Sequence, residues 1–300
     1  MVSSHVVIIK GEIFMEFKLV PPCSYQGGKQ RLAKQIVDVI FEQNDIDENT
    51  KFYDLCCGSG AITLELINRG IHPSNVTMVD YSDYGLFWNM IANDEFELNK
   101  FKKIVDEIPD KAHRKEYLLK KASHFNDENR VYDYLILQSG SFGGKALWSD
   151  NNKWYHHGFR DYWMPTETSV RRSPCNPTQP EPNVMYERLK NIVDVCGGNI
   201  RALHMDVRDF IKREVFGTNS IIYIDPEYKG TTGYKTDLNK LDVIKDVVEV
   251  VNVEIPIYIS ECNILSDKYE FITKGKSKGN ITGVVKTKRK DDLLNIFNVK

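Results

Sequence analysis

The sequence predicts an α/β fold, a doubly wound and mostly parallel sheet interrupted by one inserted lobe. Residues 51–80 read as strand, glycine turn, helix, strand and terminal acid, which is one βαβ unit of such a sheet. Ile221-Ile222-Tyr223-Ile224 is the short β-branched run expected of a strand buried on both faces, and it leads into Asp225. Between these parts the composition changes. Residues 138–185 hold five of the eleven prolines and three of the four tryptophans, a mixture that does not build regular α/β layers.

Taken in order, Leu32, Ile36, Val39 and Ile40 recur at helical spacing and predict an amphipathic helix over 29–43. A polar turn at 44–50 leads to a strand at 51–55, and the glycine turn at 57–60 leads to a helix over 61–68 that Gly70 closes. Val76–Val79 is the next strand, ending at Asp80, and 86–121 reads as helical with dense charge toward its end. After the lobe, 185–195 is a helix and a short strand ends near His204-Met205-Asp206. Leu241, Ile244, Val248 and Val251 mark a helix face, and 255–260 is a further strand. Residues 268–290 carry eight Lys or Arg against one acid, with Gly275, Gly279 and Gly283, and predict a basic hairpin. The expected organisation is a domain built from 20–105 and 186–300 with 106–185 inserted.

With 300 residues, 41% of them hydrophobic, the chain has material for a substantial core. A formal charge of −2 gives no global attraction to a polyanion, so any nucleic-acid contact needs positive charge gathered locally. Six cysteines without a CxxC pair read as reduced core residues of a cytoplasmic protein. No window approaches the roughly 20 apolar residues of a membrane span, so no membrane association is expected.

Two motifs carry chemistry. In Asp54-Leu55-Cys56-Cys57-Gly58-Ser59-Gly60 the glycines let the backbone turn sharply and approach a ligand, with a helix N-terminus opening behind them. Asp80, twenty residues after Gly60, stands where a carboxylate accepts hydrogen bonds from ribose hydroxyls. A dinucleotide enzyme fits this spacing too, but Leu64 and Glu65 stand where its third glycine is sought. In Asp225-Pro226-Glu227-Tyr228, at a strand's carboxyl end, the Asp225 carboxylate and the Pro226 carbonyl can each accept a hydrogen from an amino group on a planar base. That frees the nitrogen lone pair for attack on a methyl sulfonium, and Tyr228 can stack on a base that has left its helix.

Together Tyr25-Gln26-Gly27-Gly28-Lys29, the glycine turn, Asp80 and Asp225-Pro226-Glu227-Tyr228 resemble the Dam-type, α-group DNA N6-adenine methyltransferases in order and spacing, over about residues 20–265. Residues 137–187 also look like bacteriophage-encoded members. The resemblance implies a Rossmann-like S-adenosylmethionine-dependent methyltransferase fold and S-adenosylmethionine as cofactor. It implies that Tyr25, Gly27, Gly28 and Lys29 contact the methionine portion or brace the catalytic loop. Asp54, Gly58 and Gly60 line the cofactor pocket, Asp80 takes the ribose and Asp206 faces the cofactor's adenine. Asp225, Pro226 and Tyr228 hold the target base in double-stranded DNA. The family has a second proline where this chain has Glu227, which leaves three readings open: activity with altered geometry, an unusual base or nucleic acid, or an impaired enzyme.

Lys153, Trp154, Arg160, Arg171 and Arg172 interleave rings with positive charge in the inserted segment and are the candidate DNA contacts. The C-terminal lysines, among them Lys286, Lys288 and Lys290, either neutralise phosphates or guard an exposed strand edge. A monomer or weak dimer is expected. Three rivals remain: an amino methyltransferase acting on cytosine N4 or RNA, a non-catalytic DNA- or cofactor-binding module, and a nicotinamide-dependent dehydrogenase.

Overall fold

The computed structural model describes residues 6–9, 12–15, 17–25, 27–226, 240–251, 254–273, 277–278, 287–288 and 291–298. Strands β1 (Val6–Ile9) and β2 (Glu12–Met15) pair as a separate antiparallel hairpin. Helix α1 (Ala33–Glu42) follows one 3-10 turn at Lys29–Arg31, so the expected helical stretch begins as a tighter coil. Strand β3 (Lys51–Leu55), helix α2 (Ala61–Asn68) and strand β4 (Val76–Asp80) form the anticipated βαβ unit.

The stretch expected to be helical over 86–121 is three helices: α3 (Asp83–Ala92), α4 (Leu98–Asp106) and α5 (Arg114–Ala122). Pro109 lies in the second break, where it has no N–H to offer a continuing helix. Helix α6 (Arg130–Gly140) comes next, then the small hairpin of β5 (Trp148–Asp150) and β6 (Lys153–Tyr155). Helix α7 (Pro182–Cys196) starts with proline at its first position, where the missing N–H is harmless. Strand β7 (Arg201–His204), helix α8 (Val207–Arg213), strand β8 (Ser220–Ile224), helix α9 (Lys240–Val250) and strand β9 (Ile257–Glu261) restore the α/β alternation.

The basic segment holds the expected antiparallel pair, but only over its central part. Strand β10 (Lys268–Thr273) does not close a short hairpin on itself. The two-residue strands β11 (Ser277–Lys278) and β12 (Thr287–Lys288) pair with each other, and β10 pairs antiparallel with β13 (Asp292–Phe297). The seven-stranded sheet has the order β10-β13-β9-β8-β3-β4-β7. The run from β9 to β7 is parallel, and β13 is antiparallel to both its neighbours.

Alternation along each strand divides the core into two layers. Phe52, Met78, Ile221 and Tyr258 face α1, α2 and α3. Tyr53, Leu55, Ile222 and Ile259 face α8 and α9. Leu118, Tyr134, Leu135 and Trp154, from the stretch expected to be an inserted lobe, belong to the first layer's core, so that stretch is packed into the domain. Edge-to-face contact of Tyr134 with Tyr84 of α3, ring centroids 5.1 Å apart, ties the two.

This topology positions the site. After β3 the chain enters α2 on one face of the sheet, and after β8 it enters α9 on the other. The helices that follow two neighbouring parallel strands therefore lie on opposite faces of the sheet, the arrangement that leaves a crevice at the strands' carboxyl ends. Cys23 and Cys196 are buried and the other four cysteines half-buried, so only part of the set is core. Among the described residues no helix is long and apolar enough to cross a membrane.

Candidate active site

The turn after β3 carries positive φ angles at Cys56 (60°), Gly58 (50°) and Gly60 (74°). At Gly60 the need is also steric, because a Cβ there would lie 2.2 Å from the Trp88 ring. With no side chain in the way, Trp88 of α3 lies against the turn and its Nε1–H donates to Gly58 O at 3.0 Å. Gly60 cannot cap α2 with a side chain. Instead Asp54 accepts from the Thr63 N–H at 3.2 Å and from its hydroxyl at 2.7 Å. Burial lifts the Asp54 carboxyl to about 7, the Thr63 bonds oppose the rise, and the nearby Asp225 and Asp80 charges reinforce it.

Asp80, at the end of β4, faces the same turn. One carboxylate oxygen accepts from Gly58 N–H at 2.7 Å, and the other from Ser82 N–H at 2.7 Å and Ser82 Oγ at 2.5 Å. Across the crevice Asp225 N–H donates to Leu55 O at 3.2 Å, which carries the β8–β3 pairing one step past the strand end. The two motifs singled out in the sequence thus meet, with Asp225 level with the first residue of the glycine turn.

The Lys29 ammonium reaches both Asp225 oxygens at 2.6 Å and donates to Gly27 O at 3.3 Å. Lys29 is buried and the Asp225 side chain is 16% exposed, so this pair lies largely out of water. Burial pushes the Asp225 carboxyl up. The Lys29 charge and hydrogen bond hold it down, and Asp292 and Glu261 add to the rise. Pro226 is buried beside it. Tyr25 and Gly28 shape the segment that delivers Lys29: Gly28 N–H donates to Tyr25 O at 3.1 Å, and the Tyr25 ring meets the edge of Tyr84 at 5.2 Å. Gly27 takes φ +85°, a value that favours glycine.

A cleft runs from the Tyr25–Lys29 segment past the glycine turn to Asp225 and Pro226. Asp206 borders it, but its carboxylate caps α8 through Arg208 N–H at 2.8 Å and holds the Arg208 guanidinium at 2.7 Å. The contributors that the sequence reading missed include Ser82, Asp83, Ser149, Trp88 and, as a cleft residue, Trp148. Ser82-Asp83 at the start of α3 is a readable N-cap signal.

The candidate DNA contacts separate into two groups. Trp154 is buried against Phe125 at 5.4 Å and Tyr134 at 6.4 Å, and Arg160 is buried with its guanidinium on Ser139 O at 3.2 Å. Both build the lobe's interior, which corrects their reading as surface contacts. Lys153, Arg171 and Arg172 are exposed on the lobe. Glu227 and Tyr228 lie outside the described residues, as do Lys286 and Lys290; Lys288 falls on β12, and its side chain is not described.

No curated protein matches the sequence. Two structures of the rRNA methyltransferase aviRa from Streptomyces viridochromogenes, at 2.4 and 1.5 Å, are similar at 13% and 12% identity. Each alignment covers 89% of this chain and 84% of that one, with TM-scores of 0.38 and 0.37. Residues 25–162, which hold the Lys29 segment, the glycine turn, Asp80 and much of the lobe, match the family described as D12 class N6 adenine-specific DNA methyltransferase. On this match the chain is an S-adenosylmethionine-dependent enzyme that methylates N6 of adenine in DNA.

Proposed function

We propose that this cleft brings cofactor and target base together at the diverging ends of β3 and β8, with the base flipped out of double-stranded DNA. The observation that carries the reading is the Asp225 N–H to Leu55 O hydrogen bond, which puts the acid of one motif beside the turn of the other. The residues suit S-adenosylmethionine chemically. An open glycine turn accepts close approach, the Asp80 carboxylate stands where ribose hydroxyls need an acceptor, and Asp206 borders the region assigned to the adenine edge. When bound, the cofactor supplies the methyl group as an electrophilic sulfonium carbon.

The chain's own residues do the rest. Asp225 and the Pro226 carbonyl each accept one hydrogen of the adenine amino group, which withdraws its lone pair from the ring and aims it into the cleft. Lys29 opposes the rise that burial gives to the Asp225 carboxyl and so favours its charged form. An arriving amine displaces the ammonium from one carboxylate oxygen and leaves it on the other. Because burial raises its proton affinity, Asp225 is also a competent acceptor for the proton the methylated nitrogen sheds. Holding two reactants in line supplies much of such a rate enhancement.

For DNA, the support is that Phe142, Tyr155, Tyr162 and Trp163 are exposed rings and Lys153, Arg171 and Arg172 exposed cations of the same segment. Such residue types suit phosphates and unstacked bases. The proposal extends to sequence-specific methylation by a monomer or weak dimer in the cytoplasm of a bacterial or phage-infected cell, as part of a restriction-modification or phage system. The test is nucleoside composition after incubating unmodified DNA and, separately, RNA with methyl-labelled cofactor. Label in N6-methyladenosine from DNA is expected. Label in N4-methylcytosine, or only in RNA, sinks the reading.

A further inference from the structure

Asp83 is 3% exposed and opens α3, immediately after the Asp80–Ser82 hydrogen bonds. Its carboxylate receives three donors from outside its own helix. Ser149 N–H donates at 3.0 Å, Ser149 Oγ at 2.9 Å and Arg130 Nε at 2.8 Å. Ser149 is 4% exposed. A buried carboxylate satisfied in this way holds its partners in one geometry, because any unmade bond in the interior is costly.

The clasp has a geometric consequence. Ser149 and Trp148 are neighbours on β5, so fixing Ser149 fixes Trp148, and both line the cofactor cleft together with Asp80 and Ser82. Trp148 stacks on Tyr155 of the paired strand, ring centroids 5.6 Å apart and nearly parallel at 5°. Beyond that pair the hairpin turns at the exposed Asn151 and Asn152 and returns through Lys153. A continuous set of contacts therefore runs from Gly58 N–H through Asp80, Ser82, Asp83 and Ser149 to a hairpin on the lobe surface.

We propose that Asp83 is a positioning residue that makes the lobe's Trp148 one wall of the cofactor site, so that cofactor and DNA strengthen each other's binding. This rests on the reading of the lobe as the DNA-binding element. The contacts join the residue that takes the ribose to the hairpin that meets DNA, and linkage makes any such coupling equal in both directions.

The experiment measures S-adenosylhomocysteine affinity by tryptophan fluorescence or calorimetry, with and without fragments of unmodified plasmid DNA. The proteins are wild type, Asp83→Asn, Ser149→Ala and Trp148→Ala, each with its melting temperature recorded. DNA is expected to tighten S-adenosylhomocysteine binding to wild type by about 5-fold or more, within the usual range of such couplings. The factor should fall toward one in Asp83→Asn and Trp148→Ala and lie between in Ser149→Ala. Without DNA, Trp148→Ala should bind the probe several-fold more weakly. A purely structural role would lower melting temperatures and leave the factor alone, and that result overturns the proposal, as does a wild type that binds DNA without any coupling. If Asp83→Asn does not fold, the other two variants decide. If wild type binds no DNA, the lobe reading fails separately, and unchanged probe affinity in Trp148→Ala then removes Trp148 from the cofactor site.

Discussion

The two acids at the mouth of the crevice are held in opposite ways. Asp80 is bound by its own neighbourhood, the Gly58 and Ser82 amides and the Ser82 hydroxyl, all neutral donors within 22 residues of it in the chain. Asp225 is bound by a full positive charge from Lys29, 196 residues earlier. In the proposed reading the first arrangement orients a carboxylate to accept hydrogen bonds from a sugar. The second opposes the rise that burial gives to the Asp225 carboxyl. The difference separates a binding acid from a reacting one, and substitutions can test it.

Removing the distant charge should have the largest effect. Lys29→Met keeps most of the stem and deletes the ammonium. It should lower single-turnover methylation by roughly 10²-fold or more, on the scale of losing one electrostatic partner at a reacting centre. Asp225 is already pushed up by burial and loses its main opposing influence, so the acid limb of the rate–pH profile should move to higher pH. The variant's stability should also fall as pH rises through the new Asp225 value, because the folded state then holds an unpaired buried charge that the unfolded chain solvates. A wild-type profile would show that Lys29 does not govern this acid.

Asp80→Ala should act on the other half. Loss of hydrogen bonds to a charged acceptor corresponds to about 10- to 100-fold weaker cofactor binding. The expected signature is a raised cofactor KM with kcat kept within a few-fold. A collapse of kcat at saturating cofactor would erase the distinction between the two acids.

Asp54 lies between them and sharpens the comparison through stability alone. Its folded value, about 7, stands above the unfolded value near 3.8. Stability linked to this group is thus fully present in acid and is lost as pH rises through the folded value. Asp54→Asn, which keeps an oxygen for Thr63, should raise the melting temperature at pH 8 and leave it nearly unchanged at pH 4. Equal shifts at both values would mean that the titration is not the cause. The smallest expected effect is at Glu227, where replacement by the family's proline should keep or raise the single-turnover rate. Complete loss would assign Glu227 a role of its own.

The sheet centre was legible because its signals are local. β3 and α2 have the predicted bounds, since a short apolar strand, two glycines and a following helix leave little choice of register. α6 was not legible. All its residues from Val131 to Gly140 are buried, so it lacks the one-sided periodicity that marks a surface helix. β13 was passed over because nothing in Leu293–Phe297 reveals that it inserts between β9 and β10; long-range pairing decides that. In the site, both motifs and their acids could be named from spacing. The Lys29–Asp225 ion pair and the Asp83 clasp could not, because each joins residues whose proximity exists only after folding. Trp154 and Arg160 show the converse, residue types that suit DNA contact but are consumed by the lobe's interior.

The segment that delivers Lys29 is moored at points far apart in the chain: Leu19 to Asn68, Pro21 to Arg188, and Ser24 to Gln179. It is a strap lashed across the finished domain, and it contributes no strand to the seven-stranded sheet. A single proteolytic nick between Pro21 and Gly28 would therefore leave the platform standing while loosening the cation from its acid. The clipped protein should still retain DNA, yet transfer methyl groups poorly.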